Sequence, residues 1–519
     1  MPAGEELTPS VADLVSPQHE TASSVNDQSG RAKELTLLTA IACTVFGAKL
    51  LVISKLGSPM PILDQWDGEG LVTYVPHLHG TYSIGDLLAP HNEHRIVFTR
   101  LLTLLHLELA GEWNTRLEMI LCAVVHTALI TWLAALLMPL IVPRRRILFA
   151  GFIAVVFALP IGYENALLGF NFHFYLTLLF GIAAIVAFAR ARPFSPLWFS
   201  GLVGAICSYL SFSSSGVAAI LTAVILVCLQ LATKVRNRGG REYASVALLS
   251  LTAVAMLLWE MSVTTGSNVG LWSFMLGFLF LAGPTVLGVI GIQGPAIWFC
   301  WDTLTKRPDV NDRAWVAMGI VGWVAVQLAI VAYGRGTTIG VRYMDILLPV
   351  YPVALMAVFK LADASFGRRL NRYAKRAAVA WVFIVVTLIS TLGYYMAILQ
   401  AVDWNKSAQQ QMMNAQAYIS THNNESLKNK DQHLLVDVAF PNLIGFAHIL
   451  DDPDVRSIMP PEIRPADADN AGARNRMWLK GSLAKATSTA VRGMLAIGPA
   501  LLAVGVGMFF GVATRRTNR

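Results

Sequence analysis

Charged residues are scarce in this sequence: only 14% of its 519 residues are Asp, Glu, Lys or Arg, against about 25% in a soluble globular domain. With 55% of the chain hydrophobic, that scarcity excludes a soluble enzyme. Cysteine is scarce too. The five present (Cys43, Cys122, Cys207, Cys228 and Cys300) lie in or beside apolar runs and form no CxxC pair, so neither a disulfide framework nor a thiolate metal site is indicated. No cleavable leader is evident, because the first apolar run, 35–54, is longer than a signal-peptide core and no small-residue cleavage site follows it. It is expected to stay as a membrane span. No repeat relates the two halves of the chain. The net charge of +8, from 40 basic and 32 acidic residues, would suggest nucleic acid in a soluble protein. Here the basic residues sit in short loops between apolar runs, which is how membrane topology is set, so no nucleic-acid partner is expected.

What remains is a polytopic membrane protein. About twelve stretches are long enough to cross a bilayer at roughly 20 residues each: 35–54, 117–140, 147–162, 172–190, 196–211, 215–233, 244–263, 271–300, 314–333, 343–362, 377–398 and 491–512. With the N-terminus inside, the clusters at Arg144–Arg146, Arg190 and Arg192, Lys234–Arg241, Lys306–Arg313, Arg368–Arg376 and Arg515–Arg516 all fall on the cytoplasmic side. The run 271–300 is kept as one kinked span at Gly283-Pro284, because splitting it would move the cluster around Arg368 outside. The expectation is therefore an all-α fold of about 12 spans with both termini cytoplasmic. Residues 1–34 read as a disordered cytoplasmic tail, 35–398 as the membrane domain, 399–490 as an outer domain, and 491–519 as the last span with its tail. The outer domain carries Leu434-Leu435-Val436-Asp437-Val438 and a proline-punctuated segment, 459–465, and is expected to be a small α/β cap.

The first outer loop, 57–116, is too long to be a connector. It reads Leu63-Asp64-Gln65-Trp66-Asp67-Gly68-Glu69, then His77, His79 and Asp86, then Pro90-His91-Asn92-Glu93-His94-Arg95. From 96 to 109 it turns apolar but is too short to span, so it reads as a helix lying in the interface. His91 and His94 at i, i+3 suggest zinc on a helical face, but no third ligand follows and His-Asn-Glu-His is not HExxH. Further along, Glu164 lies at a span end. Arg335, Arg342 and Tyr343 occupy an outer loop, against the positive-inside tendency.

An acidic loop motif followed by a Pro-polar cluster and an interfacial helix resembles the GT-C superfamily of membrane glycosyltransferases, which includes aminoarabinose transferases and protein mannosyltransferases. The resemblance covers the first 120 residues and the region around Arg342 and Tyr343. It implies transfer of a sugar from a polyprenyl-phosphate-linked donor to a glycan, lipid or protein acceptor, on the outer face of a bacterial cytoplasmic membrane. An acid of this loop would then be the general base or hold a divalent ion, Mg or Mn. Asp67 matches best and Asp64 next. By the same resemblance Arg342, with Arg335 and Tyr343, meets the donor phosphate, and Glu69, His91, Asn92, Glu93, His94, Arg95 and Glu164 line the substrate cavity. The chemistry agrees, since sugar transfer from a phosphate needs a base for the acceptor proton and positive charge for the leaving group. Two other readings stay open: a transporter or flippase of a lipid-linked or small solute, and a non-catalytic scaffold whose outer domain recruits envelope partners.

Overall fold

The computed structural model describes residues 18–263, 269–283, 285–364, 371–428 and 436–517. The chain is an all-α polytopic membrane protein. Among the described residues the only strand pairing is a two-residue antiparallel ladder, with Pro90 opposite Arg95 and His91 opposite His94. Among the described residues nine helices are long and apolar enough to cross a membrane, and a tenth crossing results if Leu271–Ala282 and Val286–Lys306, which meet at 64°, act together. Gly277 lies against the Gly336 backbone at one end of this pair. Lys306, at the other end, pairs with Asp302 at 2.8 Å. The expected spans 147–162 and 196–211 are shorter helices, Arg146–Ala158 and Pro196–Ser211. Pro160 stops the first, since the residue before a proline is driven out of helical geometry.

Two expectations are corrected. The tail was expected to be disordered to residue 34, yet the first helix already runs Gln18–Leu56; once a long apolar span is nucleated, adding turns at its end costs little. Residues 1–17 lie outside the described part. The outer segment was expected to be α/β, yet its described residues form helices Leu399–Thr421, Leu443–Asp451, Pro453–Ile458 and Asn470–Arg476. Val436–Val438 is irregular, and Leu434 and Leu435 lie outside the described residues. Of the basic clusters, Arg368 and Arg369 also lie outside.

The first and last spanning helices cross at small residues. A Cβ on Gly47 would strike the Leu502 backbone, one on Gly498 would meet Leu50, and one on Gly505 would strike Thr44, which is how membrane helices approach closely. Gly507 and Gly511, the GxxxG pair visible in the sequence, have open space instead.

The two ends of the bundle differ in kind. At one, the 57–116 loop and the 399–490 segment are joined. Glu108 accepts Trp478 N–H (3.0 Å) and Leu479 N–H (2.7 Å) and meets His77 at 2.7 Å. Arg464 pairs with Glu112 at 2.7 Å, Trp113 N–H donates to Ile458 (2.7 Å), and Asn405 donates to the Leu56 carbonyl (2.9 Å). At the other end arginines tie helix ends together. Arg145 pairs with Asp363 (2.6 Å) and Arg146 with Glu34 (2.9 Å), while Arg313 donates to the Ala135 carbonyl and Arg236 to that of Ala191, each at 2.7 Å. A helix of 50 residues, Arg372–Thr421, runs from the basic end through the bundle into the 399–490 segment.

The expected interfacial helix is Val97–Ala110. Its buried face holds Thr99, Arg100, Thr103, His106 and Glu108, and its exposed face holds Leu101 and Leu105. Leu104 and Leu107 are buried beside these polar side chains, so the helix turns a mixed face inward while two of its leucines face outward. Arg100 reaches back to the carbonyls of Asp86 (2.8 Å), Leu87 (3.2 Å) and Ala89, closing the C-terminal end of the short Ile84–Leu88 helix.

Candidate functional site

Leu63, in the left-handed conformation at φ 48°, turns the chain into a π-helical segment, Trp66–Tyr74. Such wide turns are rare and recur at functional sites. Trp66 is fully buried and anchors the segment, edge-on to Trp113 at 5.3 Å and to Phe446 at 5.0 Å. Asp64 therefore sits at the entry of a rigid turn. The Pro90–Arg95 hairpin folds beside it, with Asn92 left-handed at its tip, a conformation asparagine tolerates. Directly paired residues of a ladder share a face, so His91 and His94 point the same way through a hairpin rather than a helix.

These pieces converge. A cleft of about 60 Å³ is lined by Asp64, His91, Asn92 and His94 from the loop, by Phe170, Asn171, His173 and Phe174, by Phe212, and by Arg335, Arg342 and Tyr343. The His91 imidazole, 3.7 Å from Asp64, holds the Asp64 carboxyl below the usual range against the opposing effect of burial, and Arg342 adds to it. Arg342 lies 3.8 Å from Glu164, and Arg335 lies 3.3 Å from Glu93. Burial pushes the Glu164 carboxyl up, and Arg342 opposes that. The Val341–Tyr343 turn is fixed from behind, because Asn165 donates both to the Arg342 carbonyl and to Asp345, each at 2.9 Å.

A second, larger space of about 510 Å³ adjoins the cleft and shares His94, Phe212, Arg335 and Tyr343 with it. Its walls come from three spanning helices, through Val217, Leu257 and Met261, and Ile330 and Val331. Glu260 stands at its rim, 3.3 Å from His94.

No protein-family model matches the chain, and no curated protein matches it. The site is therefore read from its geometry alone.

Of the expected site residues, Glu164 lines neither space, although it lies beside Arg342, and three others lie elsewhere. Asp67 does not line the cleft; its carboxylate accepts the Gly68 N–H at 2.9 Å, and burial raises its pKa, with His91 pulling the other way. Glu69 is turned into a buried cluster, accepting from Gln65 (2.9 Å) and Thr103 (2.9 Å), while the same Gln65 amide also donates to Glu118 at 2.8 Å. Burial lifts the Glu69 carboxyl to about 7. Within the wide π-helical turn Glu69 is buried, while Asp64 and Asp67 keep part of their surface exposed. Arg95 lies over the Trp259 ring at 4.1 Å, and its backbone N–H donates to Ser213 (2.9 Å).

Among the described residues no group of three or more His, Cys, Asp or Glu side chains is placed to hold an ion, and of the pair Asp64 and Asp67 only Asp64 lines the cleft. One carboxylate plus donor phosphate oxygens is nonetheless a common way to hold Mg.

The sequence places Phe170-Asn171-Phe172-His173 at the outer end of a span without assigning it to the cleft, and sequence reasoning missed Phe174 and Phe212 in the cleft, and Lys49 and Asp345 in the bundle interior. The last two carried a signal, since each is a lone charge inside an apolar run. Both are buried, with Lys49 5.5 Å from the Tyr175 ring.

Proposed function

We propose that this chain is a GT-C-like membrane glycosyltransferase that takes a sugar from a polyprenyl-phosphate-linked donor and passes it, with inversion, to an envelope glycan, lipid or protein. The observation that carries this reading is the junction of a small polar cleft bearing Asp64, His91, Arg335 and Arg342 with an apolar groove between spanning helices. An amphiphile with an anionic head and a long hydrocarbon tail matches both parts. In the reaction, the acceptor hydroxyl oxygen bonds to the anomeric carbon as the bond from that carbon to the phosphate oxygen breaks. The hydroxyl proton passes to Asp64, and the electron pair leaves with the phosphate, whose charge Arg342 and Arg335 meet. His91 orients the Asp64 carboxylate. Mg or Mn, held by Asp64 and the donor phosphate, would add positive charge there.

The same reading includes twelve spans, with both termini cytoplasmic and the cleft on the outer face of a bacterial cytoplasmic membrane. Turnover of a polyprenyl-phosphate sugar by purified protein tests it, wild type against Asp64→Asn and with chelator. Lack of turnover across such donors would overturn it.

A flippase or transporter is favoured by one specific observation: Lys49 and Asp345 are charges buried within spanning helices, the pattern of solute pathways. Lipid-linked solute crossing proteoliposomes without sugar transfer would select that reading.

A further inference from the structure

Arg342, proposed to meet the donor phosphate, is not fixed through its own side chain. Its guanidinium stands 3.8 Å from Glu164 and 5.8 Å from the Tyr343 ring, both beyond the reach of a direct hydrogen bond. The fork is left for a ligand, so the backbone beneath it decides where it points. That backbone is the Val341–Tyr343 turn, closed by Tyr343 N–H donating to the Gly340 carbonyl at 3.2 Å.

Behind the turn lies one amide. Asn165, fully buried, donates from Nδ2 to the Arg342 carbonyl and to the Asp345 carboxylate, each at 2.9 Å, while its Oδ1 meets no partner. The reverse orientation would set Oδ1 against two acceptors, so the amide has one allowed way round. Asp345 is buried as well, in a space that only a glycine leaves open: a Cβ on Gly162 would strike its carboxyl. From the first spanning helix, Lys49 supplies the positive charge that acts on Asp345.

We propose that Asn165 and Asp345 are positioning residues for donor recognition: Asp345 aims the Asn165 amide, and the amide fixes the Arg342 carbonyl and with it the angle at which the guanidinium enters the cleft. The inference rests on the reading of Arg342 as a phosphate-binding residue. Neither positioning side chain lines the cleft, so both act through Arg342. A small rotation of the peptide is magnified at the tip of a long side chain, and misplacing a reacting group by about 1 Å can cost about 10²-fold in rate. Asp345 then has a task in supporting the cleft, distinct from carrying a solute.

The experiment uses the full-length protein in nanodiscs with two readouts: affinity for undecaprenyl phosphate, and amide hydrogen exchange across 340–345 with no lipid phosphate added. Asn165→Asp keeps the size but turns an acceptor toward two acceptors, so exchange should quicken and affinity fall about tenfold. When Asp345→Asn is added, the new amide donates to the new carboxylate and the charge of the pair is kept. Thermal stability should then recover, while the Arg342 carbonyl still lacks its donor and affinity stays about tenfold low. Gly162→Ala displaces the Asp345 carboxyl with every charge in place; it should show the same quickened exchange and weakened binding, and it serves if Asn165→Asp does not fold. Wild-type exchange and affinity in either single variant overturns the proposal. So does recovery of affinity together with thermal stability in the double variant, since the pair then only packs the bundle. Wild type that binds no undecaprenyl phosphate refutes the glycosyltransferase reading, and exchange alone then decides whether Asn165 holds the turn.

Discussion

Only Gln65 and Trp66 separate Asp64 from Asp67, and the two carboxyls meet opposite environments. Asp64 faces His91 and the field of Arg342 and is held low, so it is ionised and able to take a proton only as the acceptor hydroxyl acidifies in the transition state. Asp67 is raised by burial and engaged with Gly68 N–H. Asp64→Asn should therefore cost roughly 10²-fold or more in turnover and Asp67→Asn much less, both at normal yield; the reverse order would return the base role to Asp67. At Arg342, lysine keeps the charge but loses the planar fork. Arg342→Lys should retain part of the donor affinity and Arg342→Ala almost none, whereas wild-type values in both would mean the side chain only meets lipid headgroups. Glu69 makes a pH prediction. Its folded pKa, about 7, lies above the ordinary value of 4.5, so the fold holds the proton that the unfolded chain releases. The stabilisation is complete below the unfolded value and is lost as pH rises toward about 7. Thermal unfolding followed from pH 4.5 to 8 should show a falling Tm in wild type and a flatter profile in Glu69→Gln.

Among the elements, the Val97–Ala110 helix shows how much was legible in the sequence and how much was not. Its length and apolar character gave its existence and ends to within a residue. Which face turned inward was not readable, because apolar periodicity marks the face that avoids water and not whether protein or lipid covers it. With Leu101 and Leu105 exposed, Leu105→Trp should place an indole among acyl chains; brominated lipids should quench it strongly, and quenching equal to that by aqueous iodide would put the helix in water. The hairpin was missed for a related reason. Pro90–Arg95 is too short for any period to show, so its two histidines read as a helical i, i+3 pair. Phe174 and Phe212 were illegible because they reach the cleft only through helix packing. Lys49 and Asp345 were legible as single charges in apolar runs, but nothing in the sequence says they lie near one another.

For the whole molecule, the grouping of segments at two ends was readable from the alternation of basic clusters with outer loops, and the packing respects it: the 57–116 loop joins the 399–490 segment, and the arginines join helix ends at the opposite pole. Cysteine labelling of intact cells should reach residues 80, 336 and 440 from outside, and 144 and 373 only after permeabilisation; labelling of residue 440 from the cytoplasm would overturn the orientation proposed. The described residues of the outer segment are helical where an α/β cap was expected, and Leu434 and Leu435 of the expected strand lie outside them. The long helix, Arg372–Thr421, has a mechanical consequence. A continuous rod keeps rotational phase, so one alanine inserted after Leu399 turns everything beyond it by about 100° while advancing it only about 1.5 Å. Trp404 would leave Tyr163, 5.7 Å away in the native structure, and Asn405 would leave the Leu56 carbonyl. Four inserted alanines overshoot a full turn by only about 40° and should restore much of the alignment. A disulfide between cysteines at 56 and 405 reports it: formed in the parent, lost with one inserted residue and recovered in part with four, so that the outer segment is set like the hand of a dial by a shaft turned within the membrane.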